Sequence, residues 1–122
     1  MGTFSWPMTV ANIDGNPSRD LEAIVDTGAA YTTLPSSLVR ALGVRPKAKR
    51  TFLLADGRRV EMDYGEARVT IDGEDVTTLV VFGEEDGPAI LGAYTLEGLG
   101  LAVDPVNQRL IPTTMILCQA AA

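Results

Sequence analysis

The chain has 122 residues, 46% apolar and 21% charged, enough for one folded unit with a moderate core and unlike a disordered or low-complexity segment. Its 16 acidic and 10 basic residues give a net charge of −6, and the one short basic run is Lys47-Ala48-Lys49-Arg50, so neither nucleic acid nor an anionic membrane surface is expected as partner. Histidine is absent and cysteine occurs once, which excludes Ser-His and Cys-His nucleophiles, His-ligated zinc, histidine bases and an internal disulfide.

Any catalysis therefore falls to carboxylates or to Lys, Tyr and Ser. Cys118 reads as a small apolar side chain, with an intersubunit disulfide or a reactive thiol as alternatives. Met1-Gly2-Thr3-Phe4 has no basic region ahead of an apolar core, and the apolar run from Pro88 to Val103 is interrupted by Gly92, Glu97, Gly98 and Gly100. A cytoplasmic chain with no membrane span is expected, a single domain over residues 1–122 with an ordered core over about residues 4–117.

In chain order, short strands alternate with turns. Trp6 to Ile13 alternates loosely, Asp14-Gly15-Asn16-Pro17 turns, and Leu21 to Val25 returns, which predicts a hairpin. Tyr31 to Leu34 forms a further short strand. Pro35-Ser36-Ser37 then opens a helix with serine as cap, carried through Leu38, Val39, Ala41 and Leu42 and ended by Gly43.

Thr51 to Leu54, the turn Ala55-Asp56-Gly57-Arg58, and a strand in which Val60, Met62 and Tyr64 alternate with Arg59, Glu61 and Asp63 make a second hairpin with one dry face. It is either a plain surface hairpin or a lid over a cleft. Gly65 marks a bend or bulge, Asp72-Gly73 reverses the chain, and Val76 to Phe82 pairs back. Gly83-Glu84-Glu85-Asp86-Gly87 reads as a solvated acidic loop, its acids lacking the spacing of a calcium loop.

Ala89-Ile90-Leu91 runs into Gly92, with a helical turn or two over Tyr94 to Glu97. Strands follow over Leu99 to Val103 and Arg109 to Ile111, and Thr113 to Cys118 forms a last β-prone segment. The class is all-β with one or two short helices.

Ala23-Ile24-Val25-Asp26-Thr27-Gly28-Ala29 is the one stretch that sets an acid up for work. A strand so apolar is buried on at least one face, so Asp26 comes to rest at the edge of a core, and Gly28 suits a tight turn. The same residues also suit an ordinary strand-to-turn transition. There is an internal echo as well: each half holds a hairpin and an apolar strand that ends in Gly-Ala, followed by Tyr-Thr, with Gly28-Ala29 and Tyr31-Thr32 in the first half and Gly92-Ala93 and Tyr94-Thr95 in the second. Either the chain holds two related halves or unrelated hairpins look alike.

Val25-Asp26-Thr27-Gly28-Ala29 followed by Ile90-Leu91-Gly92, with a small-tipped hairpin between them, resembles the retropepsin-like aspartic proteases over roughly Trp6 to Pro112. The resemblance implies a small, closed, barrel-like all-β fold with one or two short helices, active as a homodimer in which Asp26 of each subunit meets its copy at a two-fold axis. It assigns Asp26, Thr27 and Gly28 to catalysis, with Thr27 bonding across the dimer. It assigns Ala29, Ala30, the flap tip Ala55-Asp56-Gly57 and Ile90 to an extended peptide or protein substrate, with no metal or cofactor.

Two carboxylates so close cannot both ionise; they share a proton and titrate as a unit, one as base toward water and the other as hydrogen-bond donor to the developing oxyanion. Retroviral members follow Gly-Ala with an acid that pairs with an arginine after their second glycine; here those positions are Ala30 and Ala93. The flap tip has one glycine, Gly57, where retroviral flaps have several. Tyr31, Tyr64, Val60 and Phe82 are expected to make the pockets apolar, and Met115-Ile116-Leu117 to join the dimer interface. The alternatives are a non-catalytic dimeric β-domain that binds peptides or partner proteins, and a monomeric β-domain in which Asp26 is a turn residue.

Overall fold

In the computed structural model, which describes residues 3–120, the chain opens with an antiparallel hairpin of β1 (Ser5–Ala11) and β2 (Ser18–Val25). Alternation sets its faces: Met8 and Val10 enter the core, while the Thr9 hydroxyl between them donates to Asp20 on the outer face at 2.6 Å. The turn is tied by Asn12, whose side-chain amide donates to the Asn16 and Leu42 carbonyls. β3 (Thr32–Pro35) follows and leads into α1 (Ser36–Ala41), which buries Val39.

No serine hydroxyl caps α1 as expected. The Ser37 amide instead donates to the Glu85 carboxylate at 2.7 Å, so a side chain 48 residues away satisfies the helix end.

β4 (Ala48–Leu53), β5 (Arg59–Ile71) and β6 (Glu74–Gly83) form the long central ladder. The N-terminal half of β5 pairs with β4 and the C-terminal half with β6 and β1. Gly65 makes no bulge: the register runs Tyr64 to Val81, Gly65 to Val80 and Glu66 to Leu79 without an extra residue. A Cβ on Gly65 would lie 2.4 Å from the Arg45 carbonyl oxygen, so the glycine admits the chain that crosses it. β7 (Ile90–Leu91), α2 (Ala93–Gly98), β8 (Leu101–Asp104) and β9 (Arg109–Pro112) complete the elements.

Seven strands form one sheet in the order β1-β2-β7-β3-β6-β5-β4, and β1 also pairs with β5, which closes a ring. Apart from β4, the order is arranged symmetrically about the β7–β3 pair, with β2 matching β6 and β1 matching β5. β2 takes β7 as a parallel neighbour and β3 takes β6 as a parallel neighbour, so each half's hairpin accepts the short strand of the other half. Leu34, Leu91, Val10, Val69 and Val80 fill the interior of the ring. Each such side chain contributes about 1.5–3 kcal/mol through burial.

Residues 113–118 form no strand, contrary to expectation; one backbone bond holds their start, from the Thr113 amide to the Gly100 carbonyl at 2.9 Å. β8 and β9 pair only with each other, and a strand needs a neighbour to satisfy its ladder. Met115, Ile116 and Leu117 are exposed, and so is Cys118.

Candidate active site

The Asp26 backbone is clamped from two sides. The Val25 amide donates to the Phe4 carbonyl at 2.9 Å, and on the other edge the Ile24 and Asp26 amides donate to the Ala89 and Leu91 carbonyls at 2.9 and 3.1 Å. Val25 is buried, so the strand is anchored one residue before the acid. The chain then turns sharply: the Ala29 amide donates to the Asp26 carbonyl at 3.1 Å, and the Gly28 amide to Asp26 Oδ1 at 2.9 Å. The carboxylate is exposed but held in place by its own turn. A Cβ on Gly28 would meet Asp26 Oδ1 at 3.1 Å and press on the acid.

The second glycine motif locks onto this turn. Ala93 and Tyr94 amides donate to the Ala29 and Ala30 carbonyls at 2.8 and 3.0 Å, and the Gly92 amide donates to Thr32 Oγ1 at 3.1 Å. A Cβ on Gly92 would lie 2.5 Å from the Tyr31 carbonyl carbon, a closeness only glycine allows. Below, the buried hydroxyls of Thr32, Thr95 and Thr78 form a chain with contacts of 2.7 and 2.9 Å. Ala30 and Ala93 carry no ion pair; main-chain bonds and the Tyr31–Tyr94 ring contact at 5.7 Å join the two segments.

Asp26 opens into a cleft of about 760 Å³. Gly28, Ala29, Ala30 and Ile90 lie on its floor beside the acid, and the β4–β5 hairpin supplies Phe52, Leu53, Leu54, Ala55, Asp56 and Met62. Of the expected site residues, Thr27 and Gly57 are not among the lining: Thr27 is exposed beside Asp26, and Gly57 takes a φ of +89° at the hairpin tip. Of the expected apolar pocket residues, Tyr31 lines the cleft. Phe82 and Tyr64 are buried, with the Arg40 guanidinium over Phe82 and that of Arg50 over Tyr64, and Val60 lies outside the lining.

Asp56 organises the hairpin tip. Its Oδ1 accepts the Arg58 amide at 3.0 Å and its Oδ2 the Arg58 Nε at 2.7 Å, which together hold its carboxyl below the usual range and raise Arg58. Arg58 also reaches Glu84 across the cleft at 3.5 Å. The acidic loop is exposed, as its composition implies, but its neighbouring acids divide. Glu85 serves Ser37, which lowers its pKa, and Glu84 lines the cleft.

A ring-closed β-sheet, with a strand-borne Asp-Thr-Gly turn lying under a hairpin, defines the small all-β acid-protease fold. A family model described as aspartyl protease matches residues 9–95, a span that holds both glycine motifs, and the chain belongs to this retropepsin-like aspartyl protease family. No curated protein matches the chain significantly. Among the described residues no helix is long and apolar enough to cross a membrane.

Proposed function

We propose that the chain is an aspartic endopeptidase active as a homodimer, with Asp26 of each copy forming the catalytic pair. The observation that carries this reading is the clamped, exposed Asp26 on the floor of a cleft roofed by a hairpin. The corresponding turn of the second half, at Gly92-Ala93, has no acid to offer, so the partner carboxylate comes from a second copy.

In that pair one ionised oxygen takes a proton from water as the water oxygen attacks the peptide carbonyl carbon. The protonated partner donates to the carbonyl oxygen as charge develops there. The proton taken from water then passes to the amide nitrogen as the C–N bond breaks, and the pair returns to its shared-proton state. The roof supplies an edge against which an extended peptide can add as a strand, with Ala55, Asp56 and Gly57 as the flap tip and Ile90 as a side-chain wall.

Asp26→Asn should lower cleavage of a mixed peptide library between about pH 4 and 7 by on the order of 10³-fold or more. Its far-ultraviolet spectrum and sedimentation should match those of the wild-type dimer. Undiminished cleavage by this variant, or a protein that sediments as a monomer while cutting, overturns the reading.

A further inference from the structure

We propose that Glu84 is a specificity-determining residue and that the cleft favours extended peptides bearing a Lys or Arg side chain near the hairpin tip; this rests on reading the cleft as a peptide site. Of the charged side chains lining the cleft, Asp26, Asp56 and Glu84 face a single cation, Arg58. That cation is already engaged: its Nε lies 2.7 Å from Asp56 Oδ2, and only a longer 3.5 Å contact reaches Glu84. Arg58 and Glu84 are both about half exposed, so their contact is weak and screened. Glu84 is thus an anionic wall with a loosely held occupant, which a substrate cation can replace.

The rest of the lining suits the stem of such a side chain. Leu53, Leu54, Met62 and Ile90 present apolar surface along which lysine or arginine methylenes can lie while the charged end reaches a carboxylate. The neighbouring Glu85 is spent on the Ser37 amide. Two other nearby cations lie outside the lining: Arg40, which acts on Glu85 and pairs with Asp63 at 3.4 Å, and Arg50, over the rings of Tyr64 and Tyr31 at 4.5 and 5.8 Å. The hairpin-tip end of the cleft is therefore anionic, and the chain's net charge of −6 adds to its attraction for basic peptides.

The test scans Lys, Gln and Glu through successive positions of one apolar peptide. It measures cleavage by the wild type and, by fluorescence anisotropy, binding to the Asp26→Asn protein. At one position Lys should exceed Glu in kcat/KM by about 10-fold or more, and the ratio should shrink in about 0.5 M salt. Glu84→Gln should collapse that ratio and Glu84→Lys should invert it, whereas Glu74→Gln, an equal charge change on β6 outside the cleft, should leave it in place. Equal cleavage of all three peptides, or a ratio that Glu74→Gln moves as far as Glu84→Gln does, overturns the proposal and leaves the protease reading standing. Charge-ranked binding with no cleavage by the wild type does the reverse, and an absence of both removes the two together.

Discussion

The two glycine turns of this chain have the same local design and opposite duties. Each ends a short strand in Gly-Ala, each is followed by Tyr-Thr, and the two strands lie side by side in parallel, Val25 against Leu91. The halves meet like with like: Tyr31 packs edge-on against Tyr94 with ring centroids 5.7 Å apart, and the Thr32 and Thr95 hydroxyls lie 2.7 Å apart. Yet the first turn is exposed and carries an acid, whereas the second is buried and carries none; Gly92 is jammed against the Tyr31 backbone. One copy of the motif presents an acid to solvent and the other packs against it.

Alanine at each glycine sets the two duties against each other. Gly92→Ala places a Cβ within 2.5, 2.6 and 2.9 Å of Tyr31 and Thr32 backbone atoms that cannot swing aside. It should cost ~3 kcal/mol or more, read as a large fall in the denaturation midpoint. Gly28→Ala meets only the Asp26 carboxylate, at 3.1 Å. It should stay within about 1 kcal/mol of wild-type stability yet lose on the order of 10²-fold in kcat/KM, because the acid is displaced. Similar stability losses in the two variants would erase the distinction.

The buried hydroxyl chain provides a smaller test. Thr95→Val keeps the shape but strands the Thr78 hydroxyl, which contacts Thr95 at 2.9 Å, and takes the 2.7 Å contact from the Thr32 hydroxyl, which keeps only the Gly92 amide. The expected loss is about 1–3 kcal/mol. Thr32→Val also strands the Gly92 amide. Since both substitutions break the same contact, the double variant should cost less than the sum of the singles; strict additivity would show that the halves are not coupled there.

What could be read in advance followed local chemistry. The period-2 alternation gave the hairpins, and Asp-Thr-Gly with Ile-Leu-Gly gave the turns, because strand burial and turn geometry are properties of a few adjacent residues. The echo of Tyr31-Thr32 in Tyr94-Thr95 was visible as order and content. That the two pairs touch was not, since their contact depends on the ring closing. Gly65 gives no bulge, and its use is invisible locally because the atom it makes room for belongs to Arg45, on another segment. The division of Glu84 from Glu85 was hidden because side chains one residue apart look alike until α1 and the hairpin tip arrive to claim one each. The tail from Thr113 looked like a strand by composition, and composition does not supply a partner.

Acid should separate roof from floor, with the smallest effect of the set. Asp56 and Glu85 have carboxyls lowered from their ordinary 3.8 and 4.5, by the Arg58 and Ser37 hydrogen bonds respectively, and both lie outside the two glycine turns. A carboxyl whose folded value is depressed contributes its stability above the unfolded value and loses it as pH falls through the folded one. Between roughly pH 5 and 3, the hairpin tip and the start of α1 should therefore loosen first. The Gly92 amide, bonded to a threonine hydroxyl that does not titrate in this range, should stay protected. Hydrogen exchange followed amide by amide checks this: the Arg58 amide, which donates to Asp56 Oδ1, and the Ser37 amide should exchange faster at pH 3 than intrinsic rates predict. If the Gly92 amide opens in step with them, the second turn is no more rigid than the roof, and the contrast between the two motifs fails.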